Sequence, residues 1–313
     1  MTFRFTVLAS GSSGNASLLQ TDGFSALLDV GLGPRRLADR LGAAGSSWDQ
    51  IGAALLTHTH GDHWNDNTLG LLRRQRIPLI CHPLHYAGLQ GYGKQFQRLL
   101  DEGLVRHFDA GQEFELGGGL RGRAIPLSHD CNPTFGFRFE KAVNLFGPSA
   151  ALGYAADLGC WTPAVAAALI DVDVLALEFN HDVGLEYASG RSAHLIYRVL
   201  GDGGHLSNAQ AAALLEAVLR QSAPGRLRHL VQLHLSRDCN RVRLAQEAAQ
   251  AVVQAAGREV RIHSASQDRP GSTLLVGGSA AATRPARRSP ATNGKARSRA
   301  IPAASPWLPG FEP

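Results

Sequence analysis

No run of 18 consecutive apolar residues occurs in the 313-residue chain, so a membrane-spanning helix is not expected. Cysteine is scarce. Cys81, Cys131, Cys160 and Cys239 stand far apart and form no C-x-x-C pair, which removes thiolate zinc knuckles and predicts reduced thiols in a cytoplasmic protein. The opening residues hold a single Arg4 and a short strand-like run, without the basic and cleavage regions of a secretory signal, so export is not expected. A global charge is missing as well. The formal net charge is +5, but residues 279–313 carry six basic side chains against Glu312, and residues 1–278 carry 25 of each sign. Attraction to nucleic acid must then come from a local patch or from the tail.

Two segments are set apart by composition. Residues 1–278 form one folded domain; residues 279–313, rich in Pro, Ala, Ser and Arg, read as a disordered basic tail. Its apolar end, Trp307 to Phe311, is either a frayed terminus or a docking peptide for a partner. Nothing in the sequence sets an oligomeric state. Within the domain, short β-like runs (3–9, 25–30, 53–57, 79–81, 122–126, 134–140, 152–156, 172–178, 229–235, 260–263) alternate with helical patterns (34–44, 64–74, 92–102, 163–170, 192–200, 208–220, 241–256). This order predicts a layered α/β fold and excludes a helical bundle.

Residues 55–64 read Leu-Leu-Thr-His-Thr-His-Gly-Asp-His-Trp, placing His58-x-His60-x-Asp62-His63 directly after an apolar strand. At this composition the pattern arises by chance about once in a thousand such chains. A strand-to-helix loop has no structural need for four such side chains, whereas imidazole nitrogens beside carboxylate oxygens suit zinc, manganese or iron.

With this motif the sequence resembles the metallo-β-lactamase superfamily. Its other signatures occur in order: Asp29 in Leu27-Leu28-Asp29-Val30-Gly31, His129 in Pro126-Leu127-Ser128-His129-Asp130, Asp157 in Tyr154-Ala155-Ala156-Asp157, and His234 in Leu233-His234-Leu235-Ser236. The resemblance implies an αβ/βα four-layer sandwich. It also implies two divalent metal ions, Zn2+ or Mn2+, one held by His58, His60 and His129 and the other by Asp62, His63 and His234. Asp157 would bridge them, and Asp29 would support the loop by hydrogen bonding. Hydrolysis through a metal-bridging hydroxide is the implied reaction.

Two further motifs, Leu177-Glu178-Phe179-Asn180-His181-Asp182 and Gly204-His205-Leu206-Ser207-Asn208, are similar to those of the YycJ/WalJ group, as is the loop from Leu8 to Ala16. That likeness implies a metal-dependent 5′-to-3′ exonuclease acting on DNA more than on RNA. Phosphodiester cleavage must protonate a departing alkoxide, and His205 held by Glu178 suits that task, with His181 as a competitor. Asp62, His205 and Glu178 are thus the expected catalytic groups. Ser10, Ser12, Ser13 and Asn15 could form a phosphate nest, and His181, Ser207 and Asn208 are further candidate phosphate contacts. For Ser207 and Asn208, helix capping is an adequate alternative. Between the two motifs, residues 187–198 lack the Tyr-Pro pair usual in that group and keep Arg191 and Arg198. Two other readings stand beside the nuclease. One is a small-molecule hydrolase of a lactone, thioester or cyclic phosphodiester. The other is a metal-dependent binding protein without catalysis.

Overall fold

The computed structural model describes residues 2–131, 133–141 and 149–278. The expectations for the tail and for its end at residues 307–311 lie outside the described residues.

The first half runs β1 (Phe3–Ala9), β2 (Ala16–Thr21), β3 (Phe24–Leu28), α1 (Pro34–Ala43), β4 (Ile51–Leu55), α2 (Asp66–Arg74), β5 (Leu79–Cys81), α3 (Tyr86–Tyr92), α4 (Gln95–Asp101) and β6 (Val105–His107). The second half follows with β7 (Glu113–Gly117), β8 (Leu120–Leu127), β9 (Thr134–Lys141), β10 (Ala150–Ala155), α5 (Pro163–Ala168), β11 (Val174–Glu178), α6 (Val183–Tyr187), α7 (Ala193–Leu200), α8 (Asn208–Gln221), β12 (His229–Leu233), α9 (Val242–Ala255), β13 (Arg261–Ser264) and β14 (Leu274–Val276). Two seven-stranded mixed sheets result, in the orders β14-β1-β2-β3-β4-β5-β6 and β13-β12-β11-β10-β9-β8-β7.

Period-2 patterning explains the middle of the sandwich. Phe3, Phe5 and Val7 of β1 face Phe135, Phe137 and Phe139 of β9 across the inter-sheet core. Each fully buried phenylalanine contributes about 2–3 kcal/mol through the water it leaves. The parallel strands β10, β11 and β12 are buried on both faces and accordingly read as apolar runs. Leu37 and Leu41 of α1 and Leu69 and Leu72 of α2 cover one outer face. Leu214, Leu215 and Val218 of α8 with Ala245, Ala249 and Val253 of α9 cover the other. The layers are therefore helix, sheet, sheet, helix.

The helix expected over 92–102 begins later, with α4 at Gln95, and Tyr92 instead ends a separate helix, α3. Gly93 is extended, and Asp66 Oδ1 accepts the backbone N–H of Gln95 at 3.0 Å, which starts α4 afresh. Among the described residues, no helix is long and apolar enough to cross a membrane.

Candidate metal centre

Five strands from the two sheets run to one edge of the sandwich, and residues just beyond their ends carry the polar chemistry. Asp29 follows β3, His58 lies just past β4, His129 past β8, Asp157 past β10, and His234 directly after β12. Asp29, Asp157 and His234 adopt left-handed backbone conformations (φ 62, 60 and 54). Such turns cost a non-glycine residue about 1–2 kcal/mol, and here they swing side chains off the strand direction into a common space.

Support for the His58–His63 loop is built from buried hydrogen bonds. The Asp29 carboxylate accepts from Thr57 N (2.9 Å) and from Thr57 Oγ1, and its Oδ2 lies 2.8 Å from His63 Nδ1. Thr57 Oγ1 is also 3.0 Å from His58 Nδ1, while His129 Nδ1 donates to Gly204 O at 2.8 Å. Fixing Nδ1 leaves Nε2 of His58, His63 and His129 free to converge. Thr57, Asn180 and the Gly204 carbonyl escaped the sequence reading. Thr57 and Asn180 stand inside the recognised motifs, but only the folded chain shows what they hold. Asn180 Nδ2 donates to His234 O (2.9 Å) and lies 3.0 Å from His234 Nδ1.

The donor set fits two cations. His58 Nε2 and His129 Nε2 lie 3.2 and 3.1 Å from His60 Nδ1, three ring nitrogens aimed at one another. Ligand atoms of His58, His60 and His129 lie within 4.8 Å of one another, as do those of Asp62, His63 and His234, and those of His58, His63 and Asp157. Asp157 Oδ2 is buried and, although 3.0 Å from His63 Nε2, takes part in no hydrogen bond among the described residues. An orphaned buried carboxylate oxygen among imidazoles is what a cation would satisfy.

The electrostatics divide the site. Burial, reinforced by the neighbouring imidazole of His63, holds His58 well below the usual histidine range, and burial also lowers His60 and His129. These three imidazoles are held neutral, the form in which a histidine can bind a metal. On the other side burial opposes charge, but the acids outweigh it: Asp29, Asp157 and Asp62 raise His63 well above its ordinary value, and Asp157, Asp62 and Glu178 bring His234 up to about 9. Burial likewise pushes Asp62 up, and His63 and His234 more than reverse this, down to about 2.

Beside this cluster, His205 Nδ1 lies 2.8 Å from Glu178 Oε1, and Glu178 Oε2 accepts from the backbone N–H groups of Leu158 (3.1 Å) and Leu206 (3.2 Å). Glu178 is fully buried, whereas the His205 side chain is 18% exposed. Burial alone would depress His205; the Glu178 charge and hydrogen bond raise it. The His205 ring stacks on His234 at 5.1 Å and lies 5.1 Å from the His129 ring.

The remaining sequence candidates are placed as follows. Ser10 Oγ accepts from His234 N at 2.9 Å. Asn15 Oδ1 accepts from Gly11 N at 2.7 Å, and its Nδ2 reaches Asp62 Oδ2 (3.1 Å) and His63 Nε2 (2.9 Å). Ser207 caps α8 in a capping box with Gln210, and Asn208 pairs with Asn240 at 3.0 Å. The polar atoms of these four are engaged in the scaffold. Ser12 and Ser13 are exposed, with Ser13 Oγ donating to Gln267 Oε1 at 2.8 Å. His181 is buried, and neither ring nitrogen has a partner among the described residues.

Layers, strand-end ligands and a buried acid–imidazole pair together define a metal-dependent hydrolase of the αβ/βα class. The chain belongs to the beta-lactamase superfamily, whose domain profile matches residues 26–225. It is 29% identical over 250 residues to a protein of Streptococcus pneumoniae named exodeoxyribonuclease WalJ, covering 78% of this chain and 85% of that one. It is 24% identical over 265 residues to exodeoxyribonuclease YycJ of Bacillus anthracis, covering 82% and 91%. The metallo-beta-lactamase fold protein YhfI from Bacillus subtilis has the same fold, with a TM-score of 0.61 at 17% identity over 88% of this chain and 99% of that one. So does the short form of human tRNase Z, with a TM-score of 0.54 at 17% identity over 86% and 98%.

Proposed function

We propose that the protein is a two-metal phosphodiesterase that trims a nucleic acid, DNA rather than RNA, from the 5′ end. The observation that carries this reading is the His205–Glu178 pair beside the metal cluster, and the names of the WalJ and YycJ relatives support it. His58, His60 and His129 would hold one ion, Asp62, His63 and His234 the other, with Asp157 between them. Bound Zn2+ or Mn2+ would supply a water acidified toward neutral pH, bridging the pair as hydroxide, and Lewis-acid neutralisation of phosphate charge.

The chain's own contribution is the proton. Glu178 fixes the His205 tautomer with Nδ1–H toward Oε1, and its second oxygen is pinned by two backbone donors, so the imidazole is oriented as well as charged. As the bond from phosphorus to the leaving oxygen breaks, His205 Nε2 delivers its proton to that oxygen. A thioester, whose thiolate is a better leaving group, has little need of such an acid. All four cysteines are free thiols, in keeping with a reducing, cytoplasmic setting.

The test is a metal-titrated assay on 5′- and 3′-end-labelled single- and double-stranded DNA and RNA, run beside a lactone and a thioester. Loss of nucleotides from the 5′ end with two metals per chain is expected, and His60→Ala or Asp62→Ala should abolish it while leaving the protein folded. Faster turnover of the lactone or thioester, or cleavage that persists in excess chelator, would overturn the assignment.

A further inference from the structure

Beyond the metal centre, the described body places three arginines in one concavity next to the metal loop. Arg35 and Arg36 sit in the first turn of α1, and Arg74 ends α2; with Asn67 and Gln95 they line a cavity of about 390 Å³. All three are exposed, and among the described residues none makes a hydrogen bond or ion pair. Their neighbour Arg73 shows the ordinary alternative, since it is tied to Glu102 at 2.7 Å. Asp66, the acid nearest in sequence to Asn67, is turned to the Gln95 N–H instead of to a guanidinium. The helix end adds to the same field: α1 starts at Gly33 with no side-chain cap and no acid in its first turn.

Both walls of the cavity grow out of the metal loop. Val30 N donates to His63 O at 2.9 Å, and Gly31 packs so closely on Asp62 that a Cβ there would lie 1.8 Å from the Asp62 carbonyl oxygen. Gly33 is two residues on, at most about 8 Å from Gly31 along the chain. On the other wall, Thr68 Oγ1 donates to Leu32 O at 2.6 Å, and Asn67 precedes it. A body with equal numbers of acids and bases thus gathers unpaired cations beside its metal ligands.

We propose that the Arg35–Arg36–Arg74 cavity is a phosphate subsite that grips the substrate's backbone a few nucleotides from the scissile bond. This rests on the phosphodiesterase reading above for its substrate, but the anion site itself does not. Guanidinium forks match phosphate oxygens two at a time, and each neutralised phosphate of a single strand contributes about 0.7 to the log–log salt slope of binding.

The experiment compares the metal-loaded wild type with Arg35→Gln/Arg36→Gln/Arg74→Gln and with the corresponding triple lysine variant, after circular dichroism has shown all three folded. Fluorescence anisotropy with a phosphorothioate 20-mer gives affinity against salt, and calorimetry with inorganic tripolyphosphate gives affinity for a bare polyanion. The glutamine variant should bind the 20-mer at least tenfold more weakly, with a salt slope smaller by about 2, and should lose tripolyphosphate affinity; lysine should restore the slope in part. The ratio of kcat/KM for the oligonucleotide to that for bis(p-nitrophenyl) phosphate should fall about tenfold. Unchanged affinity for both polyanions would overturn the subsite. A wild type that binds tripolyphosphate through these arginines yet cleaves no DNA would leave the subsite standing and overturn the nuclease reading.

Discussion

His205 is the residue on which the proposed chemistry turns. Its raised affinity for a proton and its fixed tautomer both come from one buried carboxylate, so removing either partner should separate substrates by leaving group. His205→Ala is expected to slow cleavage of a DNA phosphodiester by about 10²–10⁴, the usual worth of a general acid. Hydrolysis of bis(p-nitrophenyl) phosphate, whose phenolate leaves without a proton, should change little. Glu178→Gln should show a weaker form of the same split. The measurement is the ratio of the two rates in wild type and variants; an equal fall on both substrates would assign His205 to holding metal or structure instead.

At the scale of elements, the site depends on how closely two connections run. The segment after β3 passes against the loop after β4 with nothing at Gly31 to hold them apart. Gly31→Ala should therefore push Asp62 and Asn15 aside, costing about 3 kcal/mol of stability and weakening metal retention about 10–100-fold. Denaturation midpoints and competitive chelation would measure the two effects, and normal metal retention would show that the loop can move without loss. This packing also marks where the sequence stops being readable. The clustering of the His and Asp candidates was legible because such residues at strand ends in a tight pattern have little other purpose, and most long strands and helices follow from their periods of 2 and 3.6. β2 was not: Ala-Ser-Leu-Leu-Gln-Thr is buried on both faces and so does not alternate, although the turn Asp22-Gly23 after it, with Gly23 at φ 78, is a hairpin signal. The roles of Ser10 and Asn15 were hidden for another reason. A Gly/Ser loop suits an anion nest and a scaffold clasp equally, and the partner that Ser10 clasps, His234, is 224 residues away.

For the whole molecule, acid should act through a group outside the His and Asp cluster. His85 is buried between Phe108 and Phe135, its Nε2 donates to Pro133 O at 3.0 Å, and its Nδ1 has no partner among the described residues. Burial holds it down at about 4. The unfolded chain takes up this proton near pH 6.5 and the folded one resists it, so the stabilisation is complete above 6.5 and is lost as pH falls toward 4. The loss should reach about 3 kcal/mol, and His85→Phe should flatten that part of the stability profile in denaturant titrations. The basic residues 279–313 belong to this scale too. Their removal should weaken oligonucleotide binding and reduce its salt slope, while turnover on a saturating short substrate stays within about twofold; a chain that unfolds on truncation would show that the segment is part of the domain.

The pairing of β1 with β14 also fixes the geometry of tethering. Phe3 lies opposite Val276 and Phe5 opposite Leu274, whereas Ser10, just past the other end of β1, touches His234. At about 3.3 Å per residue, the Phe3–Val276 end of this pair is therefore about 23 Å from Ser10, at the opposite end of the strand. A label at the Phe3–Val276 end of the domain is thus carried at the foot of the sandwich, with the His58–His63 loop at its head.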